Sequence, residues 1–433
     1  MRKMRDSGIE WVGAIPAAWG VHRIASHFQE IKEKNTANAY SNALQFKMGK
    51  IIAKPQKWDE DETNETYSAY TVVHPNTIMI NGLNLEFDFV TQRVARVECN
   101  GIITSAYIAL SPRDDINAEY ICYLLKSYDA CRAFHSMGRG LRKILSYSEL
   151  KNKPIVVPPL AEQERIAAFL DAECAEIDTV LEKTRASIEE YKKLKQAVIT
   201  QAVTKGIRGD RPMKDSGIEW IGEIPAGIPI SRVGLHFDIV LGKMLCSSPV
   251  DDNYTLESYY CAADVHFEGL SNGEKKKMWF SPDEKEQYCV KNGDLLVVEG
   301  GAGAGGCAIA VSTDVPIYIQ NSIMIVRSKG ISNIRYLRYL LECLVKKGYI
   351  DVVCNKATIP HFTKDKLANV PFIVFSQSEQ EEIAEYLNEK CTGIDALIAK
   401  KQQYLTEIGN YKKSLIYEYV TGKKEVKTSV LAD

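Results

Sequence analysis

With 433 residues, 45% of them hydrophobic and 25% charged, the chain is too long for one compact core and too apolar for a disordered or fibrous protein. No run approaches ~18 consecutive apolar residues, and the opening MRKMRDSGIEW has no apolar stretch behind its charges, so neither a membrane span nor a secretory signal is expected. Eleven singly scattered cysteines without a CxxC pair argue against a disulfide framework or a zinc site and for a reducing cytoplasm, while a formal net charge of −2 leaves nucleic-acid binding open.

In chain order, the first feature is DSGIEWVGAIP at 6–16, which returns as DSGIEWIGEIP at 215–225, identical at nine of eleven positions and offset by 209. Arg23, His27 and Phe28 likewise fall on Arg232, His236 and Phe237. Residues 23–158 then read as a mixed α/β lobe. The β-prone runs NTIMING (76–82) and GIITSAYIAL (101–110) precede a helix candidate, EYICYLLKSYDACRAF (119–134). The lobe closes on a basic, loop-like stretch, MGRGLRKILSYSELKNKPIVVPPLAEQ (137–163).

EQERIAAFLDAECAEID (162–178) opens a long helix free of Gly and Pro as far as Lys205. Leu170, Cys174, Ile177, Leu181 and Ile188 lie at alternating spacings of four and three or their sums, the period of a coiled-coil seam. Some 40 residues at about 1.5 Å each give a rod of roughly 60 Å. The block returns as EQEEIAEYLNEKCTGID (379–395), offset by 217, with Leu387, Cys391, Ile394, Ile398 and Leu405 on the matching seam. Even the polar gaps correspond, Thr184 to Lys401 and Lys195 to Lys412. So narrow a seam needs a partner. Either a second copy of the chain supplies it or the two helices of one chain pack together, which high local concentration favours.

Between the helices lies a second lobe, 232–375, with DLLVVE (294–299), IYIQNSIMIV (317–326) and the helix candidate IRYLRYLLECLVKKGY (334–349). GGAGAGG at 300–306 has GxGxxG spacing after a strand, but β-prone sequence follows it, so a hairpin turn is expected, not a dinucleotide site. Pro282-Asp283-Glu284-Lys285 lacks the second acidic residue of a nuclease cluster and reads as a solvated turn. There is no phosphate loop, no HExxH and no Asn-Pro-Pro-aromatic methyltransferase motif. The lobe closes on CNKATIPHFTKDKLANVPFIVFSQSEQ (354–380). Arg139, Arg142 and Lys143 in the first copy, against Lys356, His361 and Lys364 in the second, either solubilise a loop or lie near a phosphate backbone.

The openings SGIEWVGAIPAAW and its copy, the Pro-rich lead into EQERIAAFL and the YKKLKQAVITQAVTKG helix tail resemble the specificity subunit of type I restriction–modification enzymes over essentially the whole chain. The resemblance implies an α+β fold. Two mixed α/β target-recognition domains would be separated by two long antiparallel helices forming an intramolecular coiled coil, pseudo-twofold symmetric. The implied domains are 1–158 and 213–375 for recognition, with helices in 159–212 and 376–433. It also implies a non-catalytic chain that holds no cofactor or metal and reads a bipartite double-stranded DNA target. Modification (methyltransferase) and restriction (translocase–nuclease) subunits would be its partners and would carry S-adenosylmethionine, ATP and Mg. Half-sites about one turn apart (~34 Å) suit a rod of this length. Residue type and loop context nominate Lys54, Gln56, Lys57 and Arg93 in the first lobe for base edges, with Lys275, Lys276, Lys277, Gln320 and Asn321 in the second. A coiled-coil interaction or regulatory protein whose lobes bind other proteins is the competing reading. The second copy departs from the pattern in having Ala226-Gly227-Ile228-Pro229 where the first has Ala17-Ala18-Trp19-Gly20, and Ser376-Gln377-Ser378 for Pro158-Pro159-Leu160.

Overall fold

The computed structural model describes residues 2–47, 49–55, 67–88, 91–138, 143–354 and 360–427. Uninterrupted heptad spacing forms helices, and the two charged blocks do so over Leu160–Lys205 and Gln377–Val420. Gly206, at φ +77, stops the first in the left-handed conformation that glycine tolerates. Gly393 and Gly409 stay inside the second, because about 1 kcal/mol of lost propensity each is outweighed by burial of the seam around them. Ser376 replaces the Pro-rich lead by accepting the Glu379 N–H at 3.3 Å as a helix cap.

The chain forms two compact units, Met1–Arg185 with Gln403–Asp433, and Ala186–Gln402. The divisions fall inside both long helices, for a physical reason. The start of each helix is buried in the lobe that precedes it, and its end is buried in the lobe of the other copy. In the first unit Ile166, Ala167 and Leu170 share a core with Leu415 and Val420, around Ile24, Phe28, Tyr120 and Ile155. In the second, Ile199, Ala202 and Val203 share a core with Ile383, Leu387 and Cys391, around Val233, Phe237, Tyr336 and Phe372.

Each lobe is built on the same antiparallel four-stranded sheet. In the first unit its order is Phe28–Glu30, Ile108–Pro112, Ile78–Ile80, Val94–Arg96. In the second it is Phe237–Leu241, Ile323–Ser328, Leu295–Val298, Cys307–Ile309. A hairpin of Met4–Asp6 with Ala14–Pro16 has its counterpart in Met213–Asp215 with Glu223–Pro225. The pair Gly20–Arg23 and Pro154–Val157 has its counterpart in Ile230–Arg232 and Pro371–Ile373. The lobe helices are Ala118–Ala130 and Ile334–Lys346, capped by Asn117 and Asn333.

What differs is attached to this frame. The first lobe adds the pairs Leu44–Lys47 with Lys50–Ala53 and Thr71–Val73 with Gly101–Ile103. The second adds a three-stranded sheet, Lys276–Phe280, Thr255–Tyr260 and Tyr318–Ile319. GGAGAGG is the turn between the paired strands Leu295–Val298 and Cys307–Ile309, the expected hairpin. Residues 282–285, expected as a turn, instead begin the helix Pro282–Tyr288. The signal was present, since Ser281 and Glu284 form a capping box with Pro at the first helical position.

Candidate nucleic-acid interface

The frame is held by contacts that occur once in each unit. Tyr120 Oη donates to the carbonyls of Val420 at 3.0 Å and Val156 at 3.3 Å; Tyr336 Oη donates to Val203 at 3.0 Å and Ile373 at 3.2 Å. Burial pushes both phenols well above the ordinary tyrosine value, so each remains a donor. The Gln163 side chain accepts the Asn117 N–H at 2.9 Å, and Gln380 accepts that of Asn333 at 2.8 Å. Arg2 pairs with Glu162 as Arg211 does with Glu379. Trp19 Nε1 adds a bond to Glu162 at 2.9 Å, which the second copy, lacking that tryptophan, does without.

Along the seams the contacts pair rising numbers in one helix with falling numbers in the other. In the first unit the Phe169 and Tyr419 rings lie 4.5 Å apart, and Lys412 Nζ donates to Asp178 at 2.6 Å. In the second, Lys195 Nζ donates to both Asp395 oxygens, at 2.8 and 2.7 Å, and Lys401 lies over the Tyr191 ring. Leu170, Cys174, Ile177, Leu181, Ile188, Leu387, Cys391 and Ile394 are buried; Ile398 and Leu405 are half-buried. Burial pushes the Cys391 thiol up to about 11 and raises that of Cys174, so these cysteines are packing groups, not nucleophiles.

The lobe residues nominated for DNA separate into distinct groups. Gln56, Lys57, Arg139, Arg142 and Lys356 lie outside the described residues. Arg93 must be corrected: its side chain is fully buried, and it donates to the carbonyls of Leu83 and Asp88 at 2.6 Å, Asn81 at 3.2 Å and Asn84 at 3.3 Å. No base edge reaches it. Lys275 is corrected for a related reason, since its ammonium is consumed by Asp264 at 2.9 Å and the Ser271 carbonyl at 2.6 Å, and lies over the Tyr260 ring. Burial raises the Asp264 carboxyl, but the Cys261 N–H and the Lys275 ammonium outweigh it and hold the group below its ordinary value.

Lys276 and Lys277 are exposed on the strand Lys276–Phe280. Tyr259 faces Lys276 on one side and Tyr318 on the other, so this strand and Tyr318–Ile319, which leads into the Gln320-Asn321 turn, belong to one sheet. The amides at that turn are half-buried and turned on each other, with Gln320 Nε2 donating to Asn321 Oδ1 at 2.9 Å and Ser322 Oγ donating to Gln320 Oε1 at 2.6 Å. The turn is tied to its neighbours through Asn321 N–H to the Lys243 carbonyl and Glu299 N–H to the Ser322 carbonyl, both 2.8 Å. His361 joins the same cluster, exposed, with Nδ1 at 3.3 Å from Glu299. Lys364 is exposed at the start of Lys364–Ala368. In the first lobe, Lys143 is exposed at φ +39, and Lys54 is half-buried with its backbone N–H on the Ala43 carbonyl. Residue type alone missed Lys243, whose ammonium pairs with Glu284 and lies over the Tyr254 and Phe280 rings.

Comparison with known proteins agrees with this arrangement. Residues 99–190 and 267–407, together more than half of the chain, match the type I restriction modification DNA specificity domain family. The chain is 23% identical over 96% of its length, and of the relative's, to a putative type I restriction enzyme MjaX specificity subunit of Methanocaldococcus jannaschii. It is 22% identical to the StySPI specificity subunit of Salmonella potsdam, over 73% of this chain and 67% of that one. In fold it is similar to a chain from a structure of type I R-M complex assembly and conformational transition (TM-score 0.73, 17% identity, 95% and 99% of the two chains). It is also similar to the HsdS subunit of Thermoanaerobacter tengcongensis (TM-score 0.53, 17% identity, 95% and 98%). Two units with one frame and different attachments, together with these matches, place the chain in the family of type I restriction–modification DNA specificity subunits.

Proposed function

We propose that this chain is the DNA sequence-specificity subunit of a type I restriction–modification system, each lobe reading one half of a bipartite duplex target. The observation that carries the reading is a common four-stranded frame bearing a different accessory sheet in each unit. A shared frame fixes how a lobe meets the duplex, and divergent attachments let the two half-sites differ. The two long helices act as one antiparallel coiled coil across a pseudo-twofold axis. The reciprocal pairs Asp178–Lys412 and Lys195–Asp395 support that reading, because exchanging the copies turns one into the other: Asp178 corresponds to Asp395 and Lys195 to Lys412. The rod holds the unread spacer constant and docks the modification subunits, with restriction subunits completing the assembly.

In this reading the chain positions and its partners catalyse. S-adenosylmethionine, ATP and Mg belong to those partners. Exposed cations such as Lys143, Lys276, Lys277 and Lys364 supply phosphate contacts that fix register, and polar side chains of the accessory sheets read base edges. Selection from random duplex DNA by the reconstituted complex with its modification subunit tests this. Enrichment of two short blocks at a fixed gap is expected; no enrichment over input DNA overturns it.

A further inference from the structure

The buried Arg93 makes one long ion pair, with Asp88 at 3.9 Å, and a guanidinium removed from water needs stronger compensation than that. Its compensation is a loop. Residues 81–88 curl around the side chain so that the carbonyls of Asn81, Leu83, Asn84 and Asp88 all receive its N–H groups. Its own backbone is locked too, with the Arg93 N–H on Asp129 at 2.7 Å and the Asn81 N–H on the Arg93 carbonyl at 2.8 Å. On this clamped loop two apolar residues have opposite fates. Leu85 points inward and is buried, whereas Phe87 stands 77% exposed. Gly82 brings the loop against the basic stretch, with the Leu145 N–H donating to its carbonyl at 2.9 Å. A Cβ at position 82 would lie 2.1 Å from the Leu145 carbonyl oxygen, so only glycine permits this approach. That contact sets the exposed pair Lys143 and Ile144 in the segment joined to the Phe87 loop.

An aromatic side chain left in water on a rigidly organised loop, with a cation in the adjoining segment, has the make-up of a wedge that enters stacked bases while its neighbour meets the phosphates. We infer that Phe87 inserts between adjacent base pairs of the half-site read by the first unit, and that Arg93 is the positioning residue that holds its loop. This rests on the DNA-reading function proposed above and deepens it. Rigidity is the point of the arrangement: a preformed wedge loses little freedom on binding, so more of its stacking appears as affinity.

The test uses the complex of the full chain with its modification subunit. The probe is duplex DNA carrying the target that the wild-type complex selects, with 2-aminopurine placed at successive positions of the half-site that changes when the first lobe is exchanged. Fluorescence is expected to rise at one base step away from the modified position. Phe87→Ala should abolish that rise and weaken binding about tenfold or more, and Phe87→Trp should retain most of the affinity. Adding Arg93→Lys to Phe87→Ala should cost no further affinity, although Arg93→Lys alone weakens binding. A purely structural arginine would weaken both backgrounds equally. Wild-type affinity and an unchanged fluorescence profile for Phe87→Ala overturn the wedge alone. Loss of the modification subunit from the Phe87→Ala complex also overturns it, by making Phe87 a protein contact. No sequence preference in the wild-type complex removes the wedge and the DNA reading together.

Discussion

Tyr120 and Val420 stand 300 residues apart, and the tyrosine hydroxyl donates to the valine carbonyl at 3.0 Å inside the core of the first unit. The bond closes the last turn of the second long helix onto the lobe helix of the first copy. Tyr336 and Val203 make the same contact in the second unit. Tyr120→Phe should therefore destabilise the first unit by about 1–3 kcal/mol, the cost of leaving buried carbonyls short of a donor. Hydrogen exchange should show faster opening of amides in that unit only, and Tyr336→Phe should do the reverse. Uniform loss of protection in both units for either variant would contradict this.

The seam positions are not equivalent. Leu181 is buried in the first unit's core, with Leu405 and Ile408 packed against that core, whereas Ile398 is only half-buried. A charge at the buried site has no partner and little water, so Leu181→Glu is expected to cost at least ~2 kcal/mol more than Ile398→Glu. Thermal unfolding followed by circular dichroism measures the difference, and equal midpoints would contradict it.

Asp264 and Lys275 give a pH dependence with a definite sign. The folded-state carboxyl lies below its ordinary value of 3.8, so its stabilising share is complete above that value and is lost as pH falls through the lower folded one. Lys275→Met should thus cost about 1 kcal/mol at pH 7, the pair being only partly shielded from water. The gap to wild type should narrow towards acid. Urea unfolding at stepped pH checks it, and a gap that stays constant or widens in acid would count against the pair.

Salt separates structural lysines from phosphate contacts. If exposed Lys276 and Lys277 meet the backbone, removing either should flatten the plot of log affinity against log salt by about 0.9. Lys275→Met should leave that slope unchanged, because its ammonium is already engaged by Asp264. Binding titrations from low to moderate salt read both.

Much of this fold is legible in the sequence because it is written twice. The offsets of 209 and 217 recover Arg2 with Arg211, Glu162 with Glu379 and Asp178 with Asp395, and the structure uses each pair in the same way. The heptad period marked the long helices almost to the residue. The interface was far less legible. Arg93 and Lys276 look alike as basic residues in β-prone lobes, yet one is fully buried and the other exposed. Nothing within a few residues of Arg93 announces four carbonyls converging on it, since that depends on how residues 81–88 fold back. Lys275 was similarly hidden, because its partner Asp264 is reached only by a chain reversal. The exposed Phe87 was hidden in another way, because Leu83, Leu85, Phe87 and Phe89 alternate in sequence like a half-buried strand and give no sign that Phe87 is left in water.

The claim that two lobes read two half-sites independently is tested most directly by exchanging residues 232–375 for the corresponding lobe of another specificity subunit. Selection from random DNA is then repeated with the same modification subunit. One block of the selected sequence should change while the other block and the gap stay as they were. A change in both blocks, or loss of the fixed gap, would contradict the account.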